Sequence, residues 1–299
     1  MRISDTQFSQ MMLRSLQYNN VGLGKVMQQM STSDRLTKLS DDPMASVQLL
    51  NLSREGSVIT QYKKNISDVK TNLSNQEVYL DSATESLQRI RELVLWGANG
   101  SLSTSDRNGM VTELNSLREG LITAFNAQDE AGHYLFSGTK TDTASIAEVS
   151  GSYVLQGNSD KRLVTVAKGV NVESNKTSAE ILDLGGGDNI LNHIDAIIAE
   201  FETPTANFRT EVETTLTAVD STSAQVLGAL TEIGGQIKNL EMMSGAHSEN
   251  KLFVDKISND LSALDYGEAS VRLNNYMAAL KATQASYTKI NDLSLFDRL

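Results

Sequence analysis

Residues 59–94 read ITQYKKNISDVKTNLSNQEVYLDSATESLQRIRELV, and this stretch decides the fold. Apolar residues recur at Ile59, Tyr62, Ile66, Val69, Leu73, Leu80, Ala83, Leu87, Ile90 and Val94, and Gln76 completes the series. The spacing alternates three and four without a slip. That predicts an a/d seam on one long helix, because a 3.5-residue repeat keeps a single stripe turned toward a partner. No Pro interrupts it. At 1.5 Å per residue the helix spans roughly 55 Å. A stripe so narrow on a helix so long cannot bury itself, so partner helices of similar length must be supplied.

One partner is legible downstream. Val212, Val219, Val226, Ile233 and Leu240 recur every seventh residue, and Val254 and Leu261 resume the interval. Thr215, Thr222, Ala229, Gln236, Met243, Ile257 and Leu264 fill the companion positions. His247 and Asn250 interrupt this seam, which predicts a bend or looser packing there. Upstream, Asp42 and Pro43 read as a cap and a first helical residue, so the first long helix starts near 43 and runs to Trp96. Gly97, Asn99 and Gly100 stop it. Thr104, Ser105 and Asp106 restart a helix with the stripe Met110, Leu114, Leu117, Leu121, Ala124 and Gln128, expected to end at Gly132. The short connection predicts antiparallel packing.

After Gly132 the texture changes. Residues 162–167 and 170–173 read as short strands, Gly185, Gly186 and Gly187 as a loop, and Ile190, Leu191, Ile194, Ile197, Ile198 and Phe201 as one face of a short helix closed by Pro204. The expected class is therefore mainly α with a small β-containing insert, an elongated bundle of N- and C-terminal helices with the insert as a knob at its far end. At the termini the apolar pattern thins. Met12, Leu16, Leu23, Val26 and Met30 keep a face that Gly22 and Gly24 interrupt. Beyond a break at Gly267, Leu273, Tyr276, Leu280, Tyr287 and Ile290 keep another, followed by Leu295 and Phe296. Helices with so little to bury fray alone. Residues near 1–40 and 265–299 are thus expected to order on assembly, and these twelve apolar residues are the candidate assembly interface.

Composition narrows the chemistry. The net charge of −11 leaves no basic footprint for nucleic acid. The absence of Cys removes disulfides, thiol catalysis and Cys-ligated metals. No apolar run is long enough to span a membrane or to read as a cleavable signal. His133, His193 and His247 are scattered, and none lies in HExxH. Gly22-Leu23-Gly24-Lys25 lacks the spacing of a phosphate loop. Asp41 and Asp42, just before Pro43, read as capping carboxylates rather than a metal pair. No catalytic, cofactor-binding or metal constellation is nominated, and an enzyme is not expected.

Four stretches together resemble the flagellin superfamily: residues 29–43 (QMSTSDRLTKLSDDP), 98–107 (ANGSLSTSDR), 132–141 (GHYLFSGTKT), and 280–287 (LKATQASY) with 293–296 (LSLF). Ser33 stands where the superfamily often has Gly, and Lys38-Leu39 where it often has Asn-Pro. The resemblance implies a structural subunit without enzymatic activity. It implies that residues 1–42 and 265–299 form the inner layer of a tubular axial assembly, that 43–135 and 205–264 form the long-helix bundle, and that 136–204 form an outward-facing insert. Within the superfamily the chain is most similar to the branch at the hook–filament junction. That implies hook-associated protein 1, flagellin and a ring of its own copies as partners, a cytosolic export chaperone on the C-terminal region, no cofactor, no nucleic acid and no membrane. It also implies an extracellular place in the bacterial flagellum, reached through the flagellar type III system without a cleaved signal peptide. A filament-forming flagellin is the alternative. A coiled-coil binding module explains the heptads but not the four stretches in order.

Overall fold

The computed structural model describes residues 2–99 and 102–296, with side chains over 7–99, 102–103 and 105–289. Gly100 and Ser101 of the expected turn lie outside the described residues. The elements are long helices and three two-stranded antiparallel sheets. Two compact units form, residues 59–248 and residues 1–58 with 249–299. The resemblance implies boundaries at 42/43, 135/136, 204/205 and 264/265. The helices α2 (Pro43–Gly97) and α6 (Phe208–Ser262) contribute to both units.

In the middle unit the seam is buried almost completely. Ile66, Val69, Leu73, Leu80, Ala83, Leu87, Ile90 and Val94 are each 1% exposed or less. Val219, Val226, Ile233 and Leu240 of α6 are as dry, and Val212 nearly so. The two helices run antiparallel, since Arg91 pairs with Asp220 and Lys70 with Glu241, while Tyr62 stacks on His247. α6 continues without a break past His247 and Asn250, and the looser packing expected there is present: His247 is half-buried and Asn250 exposed, between buried Leu240 and Val254. His247 does not disturb the helix because its ring has two partners, Tyr62 and the Val166 carbonyl at 2.8 Å.

α3 (Thr104–Phe125) begins at a reciprocal capping box between Ser103 and Asp106. It returns antiparallel along α2, tied by Arg89 to Glu113. It ends at Phe125, well short of the expected Gly132. Asn126 draws the chain off the helix by accepting from the Ile146 N–H and donating to the Ile146 carbonyl, both at 2.9 Å. Gln128 lies beyond the helix, bridged to Tyr134.

The insert comprises β1 (Ile146–Val149), β2 (Ser152–Leu155), β3 (Leu163–Ala167), β4 (Val170–Glu173), α4 (Ser178–Leu182), β5 (Asp183–Gly185), β6 (Asp188–Asn189) and α5 (Ile190–Glu202). Each strand pairs with its sequence neighbour, and the six residues of the expected α5 face are all buried. The insert is not a knob at the far end. It lies along the α2–α6 pair, from Asp183 beside Gln225 to Thr165 beside Asn65 and Val166 beside His247. α3 is shorter than the seam, and the insert covers what α3 leaves open. Gln76, the polar member of the seam, is what it docks on. The Gln76 amide donates to the Leu135 carbonyl at 2.7 Å and accepts from the Lys176 N–H at 2.8 Å.

In the terminal unit α1 (Arg2–Thr32) and α7 (Tyr266–Phe296) pack antiparallel, with Arg272 on Gln29 and Tyr276 on Gly22. Gly22 does not interrupt α1. A Cβ there would lie 2.5 Å from the Tyr276 ring, so the glycine is a seat for the tyrosine. Nor does Gly267 make the break. The chain turns at residues 263–265, and the Asp265 carboxylate caps the N–H groups of Gly267 and Glu268.

Candidate assembly surface

The loop between α1 and α2 is built by four residues of the first resembling stretch. Gln29, 3% exposed, donates its amide to the Arg35 carbonyl and accepts from Arg272 of α7. Arg35 then crosses to α6: its N–H donates to the Ser262 carbonyl at 2.7 Å and its guanidinium to the Leu261 carbonyl. Asp41 closes the loop on itself, accepting from the Thr37 hydroxyl and from the N–H groups of Thr37 and Lys38. The Lys25 ammonium, 2.6 Å away, is the largest influence holding the Asp41 carboxyl down to about 2. Asp42 caps α2 through the Ala45 N–H, the main cause of its own lowered pKa, and pairs with Arg35. Both carboxylates are thus committed to amides and cations. Ser33 sits at φ +63°, the left-handed region that favours glycine, and its hydroxyl reaches the Tyr266 hydroxyl at 2.7 Å.

The candidate apolar residues fall into three groups. Val26 is 3% exposed and forms a small core with Leu264 and Ala269, against which Met30, Leu273 and Tyr276 pack. Met12, Leu16, Leu23 and Leu280 are half-buried, and Tyr287 is exposed. The side chains of Ile290, Leu295 and Phe296 lie outside the described residues. A second set, which the sequence reading did not nominate, turns outward. On α1 these are Met11, Leu13, Tyr18, Val21 and Met27. The loop and start of α2 add Leu39, Met44, Val47 and Leu50, and the last turns of α6 add Leu252 and Phe253. The signal was present, because Met11, Tyr18 and Val21 also recur at seven and three. Periodicity cannot say which of two apolar faces the chain itself will cover. Exposed large apolar side chains gathered in one unit make it the candidate interaction surface.

Nothing in the site suggests reaction chemistry. His193 pairs with Asp188 at 2.7 Å and His133 lies near Asp129, both on the middle unit. Among the described residues no group of three metal-ligating side chains converges, and no helix is long and apolar enough to cross a membrane.

Residues 3–141 match the model of the bacterial flagellin N-terminal helical region. A solved structure from Vibrio parahaemolyticus, provisionally titled a flagellar hook-associated protein, is 64% identical. It superposes with a TM-score of 0.72, over 75% of this chain and all of that one. The flagellar hook-associated protein 3 of Escherichia coli strain K12 is 29% identical over 99% of both chains. This chain belongs to the hook-associated protein 3 family of flagellin-like proteins. The FlgL crystal structure from Xanthomonas campestris, 17% identical, shares the fold with a TM-score of 0.64 over 70% of this chain and 99% of that one. The family's members are structural proteins of the flagellum, and this chain is a flagellar structural component. The terminal unit and its exposed apolar side chains fall within the agreement with the E. coli relative, which covers 99% of both chains.

Proposed function

We propose that this chain joins the flagellar hook to the filament, contacting hook-associated protein 1 on one side and flagellin on the other, as a ring of copies. The observation that carries the reading is the terminal unit. Tyr18, Val21, Met44 and Val47, all at least 59% exposed, leave it with an apolar surface that neighbouring subunits would cover. At roughly 25 cal/mol per Å² of apolar area, covering such residues repeatedly around a ring offsets the ordering of α1 and α7. Similarity to hook-associated protein 3 along the full length supports the junction role over that of filament subunit. Export by the flagellar type III system, with a chaperone on the C-terminal region before export, is part of the same reading.

Electron microscopy of cells deleted for the chain, with the medium assayed for flagellin, tests it. The expected result is hooks without filaments and flagellin monomers in the medium. Hooks bearing normal filaments contradict the junction role. Loss of filaments with no flagellin in the medium assigns the chain to the filament itself.

A further inference from the structure

The proposed ring leaves open which surfaces meet between copies, and the terminal unit carries two that match. The first is a groove of about 360 Å³ between the 36–39 loop segment and α2, lined by Leu36, Leu39, Leu49 and Leu50. Met44 and Val47 stand exposed beside it in sequence. Lys38, which lines the groove, and Arg54, one turn along α2 from Leu50, are exposed cations at its edge. The second is a ridge on α6. Phe253 and Ile257, one helical turn apart, are exposed, with Leu252 beside them. Exposed Glu249, Lys256 and Asp260 share that helix face, so two carboxylates and one cation surround the pair. A hydrophobic groove with cations at its edge fits an apolar ridge whose surround is net negative.

The charge distribution says what kind of molecule brings the ridge. The terminal unit contains twelve Lys and Arg against twelve Asp and Glu, so the whole charge of −11 falls on residues 59–248. Terminal units of identical copies can approach without net repulsion, whereas middle units cannot. A second copy of this chain therefore presents both the complementary ridge and an uncharged approach. Groove and ridge are different surfaces, so the contact is heterologous and propagates from copy to copy, closing as a ring when the rotation allows.

We propose that the Leu36–Leu50 groove of one copy receives the Phe253–Ile257 ridge of the next. The proposal rests on the ring reading above and names the contact within it. The absence of Cys makes the test direct. Val47→Cys and Leu252→Cys, both at exposed positions beside the groove and the ridge, are introduced together in the full chain, and flagella isolated from cells are oxidised and run without reductant. The expected result is a ladder of disulfide-linked oligomers, with Val47→Cys alone giving none and Lys38→Glu lowering the ladder yield several-fold. Two results overturn the contact. One is a ladder-free lane although both thiols react with a maleimide. The other is equal cross-linking of either single variant, which indicates a symmetric contact. Filament attachment in the same cells reads the junction role separately. Attached filaments without a ladder reject the contact while leaving the junction intact, and a ladder without attached filaments supports the contact while rejecting the junction.

Discussion

The middle and terminal units are built from the same two long helices, yet they finish their burial differently. Over residues 59–94 every seam position but Tyr62 is buried, and the chain supplies all the cover: α6, α3 and the insert. In the terminal unit α1 and α7 share a core of three buried residues, Val26, Leu264 and Ala269, and apolar side chains face outward on four helices. The lesson concerns stoichiometry. A heptad stripe is a demand for partners, and this chain meets the demand internally in one region and leaves apolar side chains uncovered in the other.

The largest expected effect comes from cutting the complete core. Leu73→Ala or Leu80→Ala should destabilise the chain by roughly 3–4 kcal/mol, read from the denaturant midpoint. The matching substitution Val47→Ala, in the exposed set, should change it by under about 0.5 kcal/mol. Equal losses at the two places would erase the distinction between the units.

Gln76→Leu sharpens the account of the middle unit. The substitution makes the seam uniformly apolar, yet it should cost about 2–3 kcal/mol, because it strands the buried Lys176 N–H and Leu135 carbonyl. A gain in stability would mean that the insert does not depend on Gln76 for its seat. Next comes pH. Asp41 has its pKa depressed to about 2 in the folded loop, below the unfolded carboxylate value of about 3.9. Its contribution is therefore fully present above about pH 4 and is lost as pH falls through about 2. NMR should show the Thr37 and Lys38 amides leaving their folded positions across that interval while the seam of the middle unit stays intact, and Asp41→Asn should remove the transition. The smallest effect is at Ser33. Ser33→Gly relieves a left-handed serine, worth about 1 kcal/mol, but gives up the hydroxyl contact to Tyr266. A net gain of a few tenths of a kcal/mol, confined to the terminal unit, is expected; a clear loss would place the weight on the hydroxyl contact.

Much of the fold was legible because helical periodicity is written in side chains. The seam, its α6 partner, the α5 face, the β3 and β4 segments and the Asp42 cap all follow from residue type and spacing. What was not legible depends on backbone partners. Gln76 reads as a lone polar exception, since its partners are a carbonyl and an N–H, which leave no mark in sequence. For the same reason residue type points to the conspicuous Gly132 as the end of α3 and not to Asn126 on Ile146, and nothing in the spacing shows the insert lying along the helices. At the assembly surface the sequence offered two apolar faces of α1. Only the packing of Val26, Met30, Leu273 and Tyr276 separates the face that α7 uses from the one carrying Met11, Tyr18 and Val21.

The most direct measurement is amide hydrogen exchange of the purified, unassembled chain, resolved by segment. The account predicts that residues 59–94 and 212–240 stay protected for hours, whereas 7–32 and 266–289 exchange within minutes. Comparable protection in both pairs of segments would contradict it, because the terminal unit would then be complete without its neighbours.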